Sequence, residues 1–254
     1  MFLLLGFGGI LAGMAGGLLG IGGGILIMPI LRFIVGLEPA YAAGTCVVAV
    51  FFTTLGGSSK HFKLGHIDVR SILPVVIAGL LSTLVCSMLF IYLAQKDVWL
   101  DIATGVVFSC VALRMLWEGI SDQLNKRPEP NPRNGVQGSM VAKLSIGGVA
   151  GILPGLLGIG TGAILVPAFA FALNAPIKIA IGSSLACFSV NALVSSALKL
   201  SQGFVHMSIV IPLCIGTFIG SQLGATLNGR LSSSFLKVLF GMVFIYVACK
   251  YLSQ

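Results

Sequence analysis

Two uncharged stretches of this sequence are too long for one simple membrane-crossing helix, and each is interrupted by glycines at its middle. Met1 to Leu31 has no charged side chain. Neither do the 34 residues from Leu144 to Ile177, which as one helix would run roughly 51 Å at 1.5 Å per residue. The first contains Gly-Gly-Leu-Leu-Gly-Ile-Gly-Gly-Gly from Gly16 to Gly24, and the second Gly-Leu-Leu-Gly-Ile-Gly-Thr-Gly from Gly155 to Gly162. Each is therefore expected to form two half-helices with a break between them. Lipid cannot satisfy the backbone N–H and C=O groups freed at such a break, so it must be buried in protein or line a cavity.

The rest of the chain reads as spanning helices of about 20 apolar residues. Uncharged runs occupy 39–59, 71–95, 179–198 and 207–229. Weaker spans are 98–118, with Asp101 and Arg114 near its ends, and 231–252, with Lys237. Those end charges are expected to snorkel toward the interface. Only 9% of the residues are charged, against about 25% in a soluble domain, so a water-facing surface cannot be assembled and the bilayer is the solvent. The N-terminus lacks the charged region and cleavage site of a secretory signal and is expected to be retained.

The net charge of +8 comes from Lys and Arg scattered singly between apolar runs, which fits cytoplasmic loops and not a nucleic-acid surface. Cys46, Cys86, Cys110, Cys187, Cys214 and Cys249 all fall in apolar segments without metal-site spacing. They read as small buried hydrophobes. No metal or cofactor motif is present.

One hydrophilic connection, Gly119 to Ser139, divides the chain near its middle. The domains are expected to be 1–118, a linker 119–139, and 140–254. Shifting the second half back by 138 positions superimposes Ala150–Pro212 on Ala12–Pro74 without gaps, and 17 of 63 positions are identical. The glycines of both breaks match, as do Pro29 and Pro167, each five residues beyond its last glycine. Paired glycine-broken segments in two halves point to a binding site between them.

Two topologies follow. If each glycine-rich segment re-enters, the halves are inverted and the basic residues divide 10 to 4; if each crosses, eight crossings result and the division is 9 to 5. The charge rule does not separate these. The precedent of repeat-built transporters favours the inverted arrangement. The expected fold is thus all-α: a polytopic helical membrane protein of two homologous repeats, each a glycine-broken or re-entrant helix pair plus three spans.

All seven acidic residues precede residue 130. A cation pathway usually carries an intramembrane acid, and a hydrolase of the paired-carboxylate kind needs two, so an anion is the better guest. Its first candidate ligands are the backbone amides of Gly20, Gly22, Gly23 and Gly24 and of Gly158, Gly160, Thr161 and Gly162, where consecutive free N–H groups can form an anion nest. Second are Thr45 and Cys46, matched by Ser183 and Ser184 at the start of the next span, whose alternative is a bond back to their own helix. Asn191, aligned with Thr53, completes the set as a polar amide near mid-span. His61, His66 and His206, with Lys60, Lys63, Asp68 and Lys199, are assigned to solvated loops after these spans, the alternative being a gate or proton-sensitive vestibule that attracts anions.

These residues resemble the sulfite exporter TauE/SafE family. The resemblance rests on the doubled Gly-Leu-Leu-Gly-Ile-Gly motifs with Pro29 and Pro167, on Ala43 to Thr45 and Ala180 to Ser183, and on the turns at Gly65 and Gly203. It implies an inner-membrane secondary carrier or facilitator for sulfur-containing anions such as sulfite, thiosulfate or organosulfonates. Thr161 in place of Gly23, and Cys46 in place of Ser184, depart from a strict repeat. The competing readings are a membrane-embedded sulfur-handling enzyme using Cys46, and a channel or scaffold. No GxxxxGK[ST] loop is present to drive transport with ATP. Direction, coupling ion and oligomeric state, including a homo-oligomer, stay open.

Overall fold

The computed structural model describes residues 2–124, 136–227 and 233–252, and among these every regular element is helical. Helix α1 is Phe2–Leu19. Helix α2, Gly24–Pro29, continues as a π-turn over Ile30–Ile34, and α3 (Pro39–Lys63), α4 (Val69–Leu93) and α5 (Asp97–Leu124) follow. After residues 125–135, which lie outside the described set and hold most of the expected linker, come α6 (Met140–Leu156) and α7 (Gly162–Pro167) with a π-turn over Ala168–Ala172. Then come α8 (Ile177–Ser201), α9 (Met207–Leu227) and α10 (Ser233–Leu252). Elements α2, its π-turn and α3 recur in α7, its π-turn and α8 at an offset of 138 residues, with the same bounds.

The π-turns have a local cause. Pro29 and Pro167 lack an N–H and crowd the preceding carbonyl, so the ladder resumes with a wider ring. Val35 N–H donates to Ile30 O at 2.9 Å, and Leu173 N–H to Ala168 O at 3.1 Å.

Among the described residues six helices are long and apolar enough to cross a membrane: α1, α3, α4, α5 over Asp97–Glu118, α8 and α9. Their outward faces carry large apolar side chains at helical spacing, Leu73, Ile77, Leu81 and Val85 on α4 and Ile211, Ile215, Ile219 and Leu223 on α9. Stripes of that size on a water-soluble surface would drive association; against lipid tails they are the matching surface. The chain is a multi-pass membrane protein.

Glycine sets the helix contacts. Gly147, Gly151 and Gly155 on α6 lie against the backbone around Val75, Gly79 and Thr83 on α4, so the two helices run parallel. Likewise Gly13 and Gly17 on α1 face Thr217 and Ser221 on α9. A Cβ at these glycines would overlap backbone atoms, and their absence lets the helices close. Helices α3 and α8 cross the centre antiparallel: Ser196 Oγ donates to Val47 O at 3.1 Å, while Leu185 lies against Gly57.

Both broken segments turn back on themselves. Gly23 returns against the carbonyl of Ala12, and Ile30 packs on Gly8. In the second segment Gln137 N–H, just before α6, donates to Leu173 O at 2.9 Å, just after its π-turn. Each hairpin thus ends where it began. Asp68 caps α4 by accepting from Ser71 N–H and also accepts from Val136 N–H at 3.1 Å, which ties this loop to the start of the second hairpin. Burial works against its charge, but these hydrogen bonds win and hold the carboxyl below its ordinary range.

Five assignments from the sequence need correction. His61 and Lys199 are not loop residues: His61 belongs to α3, Lys199 to α8, and both are fully buried because the helices continue four and three residues beyond the uncharged runs at 39–59 and 179–198. Lys60 and Lys63 likewise belong to the last turn of α3 and not to a loop. Asp101 does not snorkel; it is buried and bound by Arg32. Of the cysteines, Cys46, Cys187 and Cys214 are buried as expected, whereas Cys110 and Cys249 are exposed on outward faces and Cys86 is intermediate.

Candidate functional site

The two glycine breaks meet at the centre of the molecule, each seated on the opposite half. A Cβ on Gly162 would strike the carbonyl of Gly20, one on Gly160 the carbonyl of Ile21, and one on Gly24 the amide nitrogen of Gly160. The first break lies on the opening turns of α8, where Ser184 Oγ donates to Gly20 O at 3.1 Å and Ile181 touches Gly20. The second lies on the opening turns of α3, with Gly158 against Ala43. Phe188, fully buried on α8, presents its ring edge to both Gly22 and Gly160. Every residue from Gly20 to Ile25 and from Leu157 to Ala163 is buried.

The loops are not conformational copies. Gly20, Gly22 and Gly23 all have positive φ, near +75°, +76° and +71°, whereas in the second loop only Gly158 does. Thr161 adopts φ −90°, ordinary for a residue with a Cβ, where Gly23 is left-handed. The substitution of Thr for Gly thus goes with a different path of the backbone.

The breaks are rich in donors and poor in partners. Among the described residues no hydrogen bond is formed by the amides of Ile21, Gly22 and Gly23, nor by those of Gly158, Ile159, Gly160 and Thr161. Thr161 Oγ1, Ser183 Oγ and Asn191 Oδ1 are also buried without a partner. Buried polar groups in folded proteins are normally paired, and an unpaired one costs about 1–3 kcal/mol. The amides and the Thr161 and Ser183 hydroxyls are donors and together suit an acceptor-only guest, which is what an oxyanion is, whereas Asn191 Oδ1 is an acceptor and stands apart from that set. Asn191 packs its amide on Gly79 of α4, and Thr53, its counterpart 138 residues earlier, lies on Gly23.

The remaining expected ligands are occupied in holding the frame. Thr45 Oγ1 accepts from His206 N–H at 3.1 Å, so its hydroxyl joins α3 to the start of α9. Cys46 is completely buried, with Sγ donating to Gly24 O at 3.5 Å. Ser184 Oγ shares its proton between Gly20 O and Ile181 O. A narrow crevice reaches the breaks beside Leu19, Ile21, Gly162 and Ala163, beneath Met115 and Glu118 of α5.

Two basic residues that the sequence reading placed in loops are buried here, and the repeat offset pairs them: His61 plus 138 is Lys199. His61 Nε2 lies 3.3 Å from Gly17 O, in the last turn of α1. Lys199 Nζ donates to Pro154 O at 3.2 Å, in the last turn of α6, and sits 4.2 Å over the Phe90 ring. Both therefore meet the negative end of the helix that precedes a break. His66, in the loop after α3, places Nδ1 3.2 Å from that of His61; its own pKa is lowered by burial and by the charge of Lys178. Among the described residues no group of three metal-ligating side chains is assembled.

The family model described as sulfite exporter TauE/SafE matches residues 5–251. The chain is similar to a probable membrane transporter protein of Xylella fastidiosa, 32% identical over 98% of this chain and 93% of that protein. It is also similar to one of Haemophilus influenzae, 30% identical over 88% and 85%. A third, the probable membrane transporter protein YunE of Bacillus subtilis, is 26% identical over 98% and 96%. No solved structure matches the chain.

Proposed function

The chain belongs to the sulfite exporter TauE/SafE family, and we propose that it is a secondary transporter or facilitator for small sulfur-containing anions, held where the two glycine breaks cross. The observation that carries this reading is the set of buried, unpaired donors: the amides of Ile21 to Gly23 and Gly158 to Thr161 and the hydroxyls of Thr161 and Ser183. An oxyanion accepts several such bonds at once, and each is stronger than a neutral one. The two halves, 1–118 and 140–254, act as inverted repeats that rock about this crossing, with the opposed directions of α3 and α8 as their axis. The crevice beneath Met115 and Glu118 is then one route to the breaks.

A thiol-based enzyme is disfavoured. Cys46 is wholly buried and engaged with Gly24 O, whereas a reactive thiol is partly exposed. The test is uptake of sulfite, thiosulfate and a small sulfonate into liposomes carrying the purified protein, with chloride and sulfate as controls. Saturable uptake of a sulfur anion, lost on replacing Gly22 or Gly160 by Ala, is the expected result. Flux that does not saturate would mean a channel, and no flux of any anion would overturn the transport reading.

A further inference from the structure

Lys199 is a completely buried cation-forming group with no carboxylate within ion-pair distance among the described residues. Its surroundings are Pro154 O on α6, the Phe90 ring on α4, Ser195 on its own helix, and Cys46 on α3. Ser195 Oγ donates to the same Pro154 carbonyl at 2.7 Å, so this acceptor already has two donors. A basic group in a span marks a functional position by default, because its charge is costly there without a partner. Here the family of guest proposed above would supply the missing negative charge.

The position of its counterpart makes the arrangement systematic. Cys46 and Val47 lie level with Lys199 and Ser196, so Lys199 stands near the start of α3 and His61 near its end, roughly 22 Å apart at 1.5 Å per residue. Between those levels lie the breaks, with Gly24 at Val50 and Gly22 at Thr54. His61 meets Gly17 O from α1 and His66 from the adjoining loop, with Lys178 acting on His66 from the start of α8. Lys60 and Lys63 flank it on its own helix. One protonatable residue therefore stands on either side of the crossing, each against the C-terminal end of a broken helix.

From this geometry we infer that Lys199 and His61 are complementary proton-exchanging residues, one on each side of the crossing, that couple anion movement to protons. The inference rests on the transport reading. As an anion reaches the breaks, a proton from water on that side binds the Lys199 amine, giving an ammonium whose counter-charge is the anion. As the anion leaves, the ammonium loses its counter-charge and gives its proton to the water that accompanies the anion, and the His61 imidazole takes that proton and passes it to water on the other side. By linkage, an anion that binds the protonated form better must take up protons when it binds.

The experiment follows thiosulfate, which needs no correction for its own titration near neutral pH. Wild-type protein in weakly buffered detergent solution should take up about one proton per thiosulfate bound, and liposomes with the membrane potential clamped should accumulate thiosulfate on the acid-outside gradient. Lys199→Arg, whose guanidinium stays charged, should bind thiosulfate without that proton and lose response to the gradient. His61→Gln should bind with proton uptake intact yet move the anion at least tenfold more slowly. Thermal unfolding identifies any variant that fails to fold, and the Arg variant tests the inference even if Lys199→Gln does not. Binding and uptake by wild-type protein with no proton taken up overturns the coupling alone; so does gradient-driven accumulation by Lys199→Arg. No thiosulfate binding or movement by wild-type protein overturns the transport reading and this inference together.

Discussion

Arg32 holds Asp101 through two hydrogen bonds, Nη2 to Oδ2 at 2.7 Å and Nε to Oδ1 at 3.1 Å, and its Nη1 also donates to Leu37 O. The pair joins the π-turn of the first hairpin to α5, across 69 residues of sequence. The fork of the guanidinium matches the carboxylate, and the buried Asp101 depends on the half-buried Arg32 for its counter-charge. Asp101→Asn is expected to lower stability by about 1–3 kcal/mol, since the bidentate charge-assisted pairing with the half-buried Arg32 is lost. The double replacement Arg32→Met with Asp101→Leu should lose less than either single one. Thermal unfolding in detergent measures both.

The crossing of the breaks leaves no room for a methyl group. At Gly22 a Cβ would lie 2.5 Å from the Phe188 ring and require a left-handed backbone, and at Gly160 it would meet Ile21 O. Ala at either position is expected to reduce anion uptake more than tenfold. Gly148→Ala is the control: nothing lies within 4 Å of its Cβ, and α6 should gain up to about 1 kcal/mol from the better helix former. Uptake by the Gly148 variant should equal that of the unaltered protein.

If the hydroxyls of Thr161 and Ser183 await a guest, their removal should weaken binding without weakening the fold. Thr161→Val and Ser183→Ala each delete a buried, unpaired oxygen. Stability should stay level or rise by about 1 kcal/mol, while thiosulfate affinity falls roughly tenfold, the worth of one hydrogen bond to a charged group. Loss of stability with affinity intact would show that the hydroxyls belong to the frame.

Protonation of His66 should loosen the loop between α3 and α4. Burial first, and then Lys178, lower its folded pKa, so the unfolded chain binds the proton more readily. The stabilisation is complete above the ordinary imidazole value, near 6.5, and is lost as pH falls through the lowered folded value. The close approach to His61 Nδ1 adds to this, because two protonated rings cannot share that contact. His66→Gln should flatten the fall in melting temperature below pH 6.5.

Cys46→Ser places in α3 the residue that Ser184 already supplies in α8, and its hydroxyl can donate to Gly24 O as the thiol does. Uptake by this variant is expected to remain within about twofold of the unaltered protein, since one neutral hydrogen bond replaces another. Loss of all turnover, with the fold intact by thermal unfolding, would favour the sulfur-handling enzyme.

The sequence by itself determined the solvent, the helices and the places where they break. Apolar runs between sparse charges can only be spans, and Pro29 and Pro167 force local departures from the α ladder whatever surrounds them. The 138-residue offset likewise made Gly22 and Gly160, or Thr53 and Asn191, comparable before any packing was known. Only the tertiary structure decided what those positions touch. Charge counting could not distinguish a crossing segment from one that turns back, because lipid-facing and hairpin-forming glycines carry the same composition; the return of Gly23 to Ala12 is a contact between residues eleven apart. Nor could hydropathy place Lys199 and His61 inside, since each follows an uncharged run at the point where a loop and a longer helix look alike. Their burial depends on Pro154, Phe90 and Gly17, residues distant in the chain that helix packing brings together.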